Sequence, residues 1–342
     1  MIYSRSPYYV DINATSISNA QRYEMRLYIW KGNIAVIPTT PTYVFNNNLH
    51  DKQGVVNISN YINDFFTNQT SVFSNTNEII YNNDVVYCRW EVDIITSTST
   101  ITNFITNGKY ALNGYTLFIE GRNFTPSIDG DFYTTFAGNN FRVHDKFLIG
   151  VNAMNDDVVV TAYPSATILL SETIVSTNNT NSQSFYIALN NLSALNDKYI
   201  EVDIYGDKVY IELIKECKYE PIDVQFKNRY GVSQIVTFFK KTTKSINVTR
   251  SNFERKSYNR QLINYNTNGN EDIVLTSGYN KEEFNDIIEQ LLLSENVWIR
   301  DKGTFIPYNI KSNKLSYKTK LNDKLISYEI TFEQAFNLIN NV

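Results

Sequence analysis

Apolar and polar residues alternate along most of this chain with the period of two that a half-buried strand requires. In QRYEMRLYIWKGN, Tyr23, Met25, Leu27 and Ile29 share one face, while Arg22, Glu24, Arg26 and Tyr28 share the other. SPYYVDIN and PTYVFNNN predict further strands, and in DVVYCRWEVDII the side chains of Val86, Cys88, Trp90 and Val92 point one way. VVNISNYINDFFTN departs from this pattern. Its Ile58, Tyr61, Ile62, Phe65 and Phe66 recur at helical spacing, with Asn57 or Ser59 available as a cap. Short strands separated by polar turns predict a β-sandwich over residues 1–100.

The same pattern continues through a second region, 101–215. KYALNGYTLFIEGRNF reads as a strand pair or a strand kinked at Gly114, and DKFLIGVNA, DDVVVTAYP, ATILLSETIV and QSFYIALNNL follow as strands. YIEVDIYGDKVYIELIKEC predicts a hairpin that turns at Tyr205–Lys208. The third region, 216–342, opens with a strand, an NRYG turn and a second strand. SNFERKSYNRQLINYNTNGNED is polar and basic and predicts a long exposed loop or edge hairpin, with a turn at NTNGNE. GYNKEEFNDIIEQLLLSENVW predicts a helix over 280–294, capped by Asn280, with Glu282 and Glu283 in its first turn. Its apolar face is Phe284, Ile287, Ile288, Leu291 and Leu292. A hairpin around DKG and two alternating strands joined by LNDK complete the chain, with Ile330 and Phe332 inward and Trp298 packing the helix onto the sheet.

Composition supports a mainly β protein. The 342 residues are 42% hydrophobic and 14% aromatic, with 25 Tyr and 20 Phe, residue types suited to pleated surfaces. At this length several cores are expected. The formal net charge of −4 argues against a strongly basic nucleic-acid-binding footprint. Cys88 and Cys217 lie in apolar strand-like runs and read as buried free thiols, not as a disulfide framework. The opening residues carry no apolar leader, and no run approaches the ~18 apolar residues of a membrane-spanning helix.

Candidate chemistry is sparse. His50 and His144 lack neighbouring ligands at zinc spacing. Asp129 and Asp131 around Gly130 resemble a fragment of a calcium loop without its closing glutamate, and a surface turn accounts for them. The pairs Asp156–Asp157 and Glu282–Glu283 have structural explanations, on a strand and at a helix start. Sequons such as Asn178 and Asn247 are expected by chance in an Asn-, Ser- and Thr-rich chain. The reading is therefore of a protein without catalysis, metal or cofactor. The clearest charge asymmetry is a basic, aromatic-interleaved run with Lys240, Lys241, Arg250, Phe253, Arg255, Tyr258 and Arg260, an edge suited to contact a neighbouring subunit.

SPYYV…MRLYIWKG, ALNGYTLFIEGRNF and SENVWIRDKGTFIPYNIKSNKLSYKTKLNDKLISYEITFEQAFNLINNV resemble tail proteins of phages and prophages of Bacteroidetes, including crAss-like phages. The resemblance implies a virion structural subunit, made in the host cytoplasm, that forms a homo-oligomeric ring in the tail or neck. Neighbouring ring proteins would be its partners, and genome DNA would pass through its lumen without sequence-specific binding. It also implies two immunoglobulin- or fibronectin-like sandwiches beside a C-terminal tail-tube-like sandwich with one flanking helix. A carbohydrate-binding module or adhesin is the alternative, because tyrosine-rich sandwiches can stack on sugars.

Overall fold

A computed structural model describes residues 1–342 apart from 33, 67–70, 73, 126–131, 135–140, 153–155, 175–183, 216–217, 255–261, 318–325 and 340–342. The architecture is mainly β and sandwich-like. The first sheet has the order Ile2–Tyr3, Thr100–Leu112, Val86–Thr96, Ala20–Lys31, Tyr43–Asn48. It packs on the pair Tyr9–Asn13 and Gln53–Asn57. The alternation read from sequence sets the faces. Tyr23, Met25, Leu27 and Ile29 are buried together with Val86, Cys88, Trp90 and Val92. The short helix Ser59–Asn63 continues as a 3₁₀ turn, Asp64–Phe66, and buries Ile62 and Phe66. Asn57 supports its start, because Oδ1 accepts the Ser59 N–H at 3.2 Å.

Pairing crosses the sequence boundary at residue 100. Thr100–Leu112 lies beside Val86–Thr96, so the first sheet runs past that point. Glu78–Tyr81, from the first region, is instead the third strand of a sheet with Phe147–Val151 and Phe185–Leu189. That sheet faces a five-stranded one, Thr167–Thr173, Asp157–Tyr163, Tyr199–Ile204, Asp207–Leu213 and Phe141–Val143. After Leu112 no second strand follows; the chain makes a 3₁₀ turn at Phe118–Glu120. The Tyr205–Gly206 turn has positive φ at both residues, +46° and +99°, as a tight two-residue hairpin requires.

The C-terminal sheet has seven strands: Ser233–Phe238, Ile222–Lys227, Val297–Asp301, Thr304–Ile310, Glu329–Gln334, Leu262–Thr276 and Thr242–Glu254. The helix Phe284–Leu292 buries Phe284, Ile287, Ile288 and Leu291 in the same core as Val297, Ile299, Ile330 and Phe332. Asn280 does not cap it. The cap position is Glu283, and Asn280 bridges to Ile326 while donating its side-chain amide to the Gly278 carbonyl. Trp298 is buried but does not join the helix to the sheet. Strand residues alternate, so Trp298 points away from the side shared by Val297 and Ile299. It packs with Tyr87, Tyr133, Tyr186 and Tyr230. Residues 312–317 form no strand, and the LNDK turn lies outside the described residues.

That tyrosine-rich cluster is where the three regions meet. The turn Asn228–Gly231 is wedged between the first and second regions. Asn228 donates to the Tyr133 carbonyl at 2.9 Å, and Tyr115 N–H donates to the Arg229 carbonyl at 2.8 Å. The Arg229 guanidinium binds both oxygens of Glu120, at 2.7 and 2.8 Å. Lys227 is buried and pairs with Asp84 at 2.6 Å. Burial opposes its charge, but Tyr186 and Asp84 outweigh that and raise its pKa.

Candidate assembly interface

Thr242–Glu254 and Leu262–Thr276 pair along their whole lengths and form the outer end of the seven-stranded sheet. Among the described residues a third strand supports the root of this hairpin alone, where Asp272–Thr276 pair with Glu329–Glu333. There Ile273 and Leu275 are buried against the core. Beyond the root, Ile246–Glu254 and their partners project as a two-stranded arm, roughly 30 Å at about 3.3 Å per residue. Thr, Ile and Val supply strand propensity on TTKSINVT. Between Thr249 and Ser251 the register shifts, because the opposite strand carries one extra residue around Asn266, at φ +47°. The sequence NTNGNE is therefore a bulge inside a strand, not a turn.

The root is held by charges. Lys311 bridges Asp272 at 2.9 Å and Glu333 at 3.2 Å, and Lys244 lies 3.4 Å from Glu271. The chain end lies along the inner part of the arm: Leu338 N–H donates to the Gly269 carbonyl at 2.8 Å, and Asn268 exchanges hydrogen bonds with Ile339. Apolar side chains on this surface are open to solvent. Ile246 is 60% exposed, Leu262 61% and Phe336 59%, with Val248, Tyr265, Leu338 and Ile339 exposed as well.

The structure places four of the seven basic and aromatic residues singled out in the sequence. Lys240 and Lys241 lie at the root. The Lys240 ammonium sits 5.5 Å from the Phe239 ring centre and 5.9 Å from that of Tyr219. Arg250 is exposed at the bulge, and Phe253 is exposed further out, edge-on to Tyr265 at 5.7 Å. Arg255, Tyr258 and Arg260 lie outside the described residues. The apolar exposure of Ile246, Val248 and the chain end was missed, because alternation by itself does not tell a covered face from an uncovered one.

A charged cleft of about 610 Å³ opens beside the root, between the second region and the C-terminal sheet. The Arg300 guanidinium bridges Asp145 at 2.7 Å and Asp223 at 3.2 Å, and Thr237 donates to Asp223 at 2.7 Å. Burial raises the pKa of Asp223 against the pull of Thr237 and Arg300. At Asp145 burial is outweighed by hydrogen bonds from Ser193 and Arg300, which hold its carboxyl low. His144 also lines the cleft, with Nδ1 3.1 Å from the Ile214 carbonyl. Arg300 pairs with both carboxylates, an arrangement that ties two regions together. Among the described residues no group of three His, Cys, Asp or Glu side chains could hold a metal ion. Cys88 is a buried free thiol with its pKa pushed up to about 12 by burial, which disfavours the thiolate; Cys217, Asp129 and Asp131 lie outside the described residues. No helix of the described residues is long and apolar enough to cross a membrane. No protein-family model and no curated protein matches the chain.

Proposed function

We propose that this chain is a structural subunit of a bacteriophage virion, forming an oligomeric ring in the tail or neck that lines the DNA conduit. The observation that carries the reading is the arm. A two-stranded ribbon is marginally stable by itself in water, yet among the described residues its apolar side chains and outer edge are open. An open edge and exposed apolar positions suit pairing with a neighbouring subunit, which a closed ring supplies at every position. The mainly β, sandwich-like architecture is compatible with the same reading. Mass photometry with negative-stain imaging tests it: rings of fixed multiplicity are expected. A chain that stays monomeric both alone and with purified tail assemblies refutes the reading.

One observation favours a second reading, glycan binding. On the sheet carrying Tyr199–Ile204, Tyr163 and Tyr199 stack at 5.2 Å and 16°, with Tyr210 6.2 Å from Tyr199. Tyr199 is exposed. A glycan array reports on this surface: a hit lost in Tyr199→Ala supports it, and an array without hits removes it.

A further inference from the structure

We propose that Lys146 and Asn190 condense with each other, forming an intramolecular side-chain amide cross-link within the second region. The two residues directly extend an antiparallel ladder. Phe147 is opposite Leu189, so continuing the register sets Lys146 opposite Asn190. Every residue of the two strands, Phe147–Val151 and Phe185–Leu189, is buried. Lys146 is 5% exposed and Asn190 7%. Lys146 Nζ lies 2.5 Å from Asn190 Oδ1 and donates to the Ser74 carbonyl at 3.1 Å. The Asn190 amide is fixed from its other side, where Nδ2 donates to the Thr76 carbonyl. The Asn190 backbone N–H donates to Asn77 Oδ1 at 2.8 Å.

A buried site that holds an amine against a carboxamide supplies what this reaction lacks in water, a neutral nucleophile and a fixed neighbour. Burial lowers the Lys146 pKa, and the charge of Arg300 lowers it further, which favours the neutral amine. The neutral Nζ attacks Cγ of Asn190 and a C–N bond forms. A proton passes from Nζ to Nδ2, the Cγ–Nδ2 bond breaks, and ammonia leaves. No oxidant or cofactor is needed. Glu78 is suited to relay the proton. It pairs with Ala188, two residues before Asn190, and so shares that face of the sheet. Its carboxylate accepts the hydroxyl of Ser74, the residue whose carbonyl holds the lysine.

The test is the intact mass of the purified, denatured full chain. The wild type is expected to be lighter than its sequence by one molecule of ammonia, and digestion should yield a branched peptide containing Lys146 and Asn190. Lys146→Met and Asn190→Ala should each restore the full mass, and Glu78→Gln should slow the loss. A wild type that keeps its full mass after prolonged incubation in the folded state overturns the proposal. So does a loss that persists in folded Lys146→Met, which would mark an asparagine cyclising on its own backbone. Should either variant fail to fold, the branched peptide from the wild type decides: its presence upholds the cross-link and its absence refutes it.

Discussion

Replacing Gly231 by alanine tests the contact that locks the three regions together. Gly231 has φ +78°, where an L side chain is strained, and an added Cβ would lie 2.5 Å from both the Asn113 carbonyl carbon and the Gly114 amide nitrogen. Both obstacles are backbone, so no side chain can rotate away. The conformational part costs about 1–2 kcal/mol, and the overpacking adds about 1–3 kcal/mol, giving a total of roughly 2–5 kcal/mol. Gly206 is the control. It has φ +99° and nothing within 4 Å of its added Cβ, so Gly206→Ala carries the conformational part alone. Gly114→Ala approaches the same junction from the segment that follows the strand Thr100–Leu112. Its Cβ would overlap the Arg229 carbonyl and the Tyr3 ring and lie 2.8 Å from the Tyr230 carbonyl carbon. The assay is equilibrium urea unfolding, followed by far-UV circular dichroism and by tryptophan fluorescence. Trp30 and Trp90 report on the first sheet and Trp298 on the C-terminal sheet. Gly231→Ala and Gly114→Ala should lower the midpoint and separate the two signals as the regions uncouple. If Gly231→Ala costs no more than Gly206→Ala and the signals still coincide, the junction is not the packed contact described here.

Other outcomes follow from the same geometry. Trp298→Ala should cost about 3–5 kcal/mol by urea unfolding, because a buried ring leaves a cavity among tyrosines. Asp84→Ala strands the buried Lys227 ammonium at a cost of about 3–5 kcal/mol, and adding Lys227→Met should recover most of it. Asp145 is held below the ordinary carboxylate value, so its contribution is complete above about pH 4 and is lost as the pH falls through its folded value. Asp223 is raised and acts with the opposite sign, its cost growing as the pH rises through about 4. Asp145→Asn should therefore lose less stability than the wild type between about pH 6 and pH 3, read as the urea midpoint. Ile246→Lys with Val248→Lys should change monomer stability by under about 0.5 kcal/mol, since both are exposed, while abolishing rings in mass photometry.

The strands were legible because their information is local. Alternation assigned Met25, Leu27, Val86 and Trp90 to one buried face, and the turn residues Tyr205–Gly206 and Lys302–Gly303 set two hairpins through positive φ. The helix Phe284–Leu292 followed from its apolar spacing. What the chain could not declare was which surfaces meet. Asn280 has the chemistry of a cap but is drawn into a bridge with Ile326, a partner far along the chain. NTNGNE has turn chemistry, yet long cross-strand pairing absorbs it as a bulge. Trp298 is apolar on a strand, but which side of the sheet carries the helix is not written in its neighbours. The basic run was visible as charge, whereas the place of Arg250 and Phe253 on the arm depends on where the adjacent strand Glu329–Gln334 stops pairing. The sequence by itself determined a mainly β chain, most of its strands, both helices and the inward residues, because propensity and periodicity act over a few residues. Only the tertiary structure decided the strand neighbours, the junction at Gly231, the pairing of Lys146 with Asn190 and the exposure of the arm, because these depend on contacts between residues far apart in the chain.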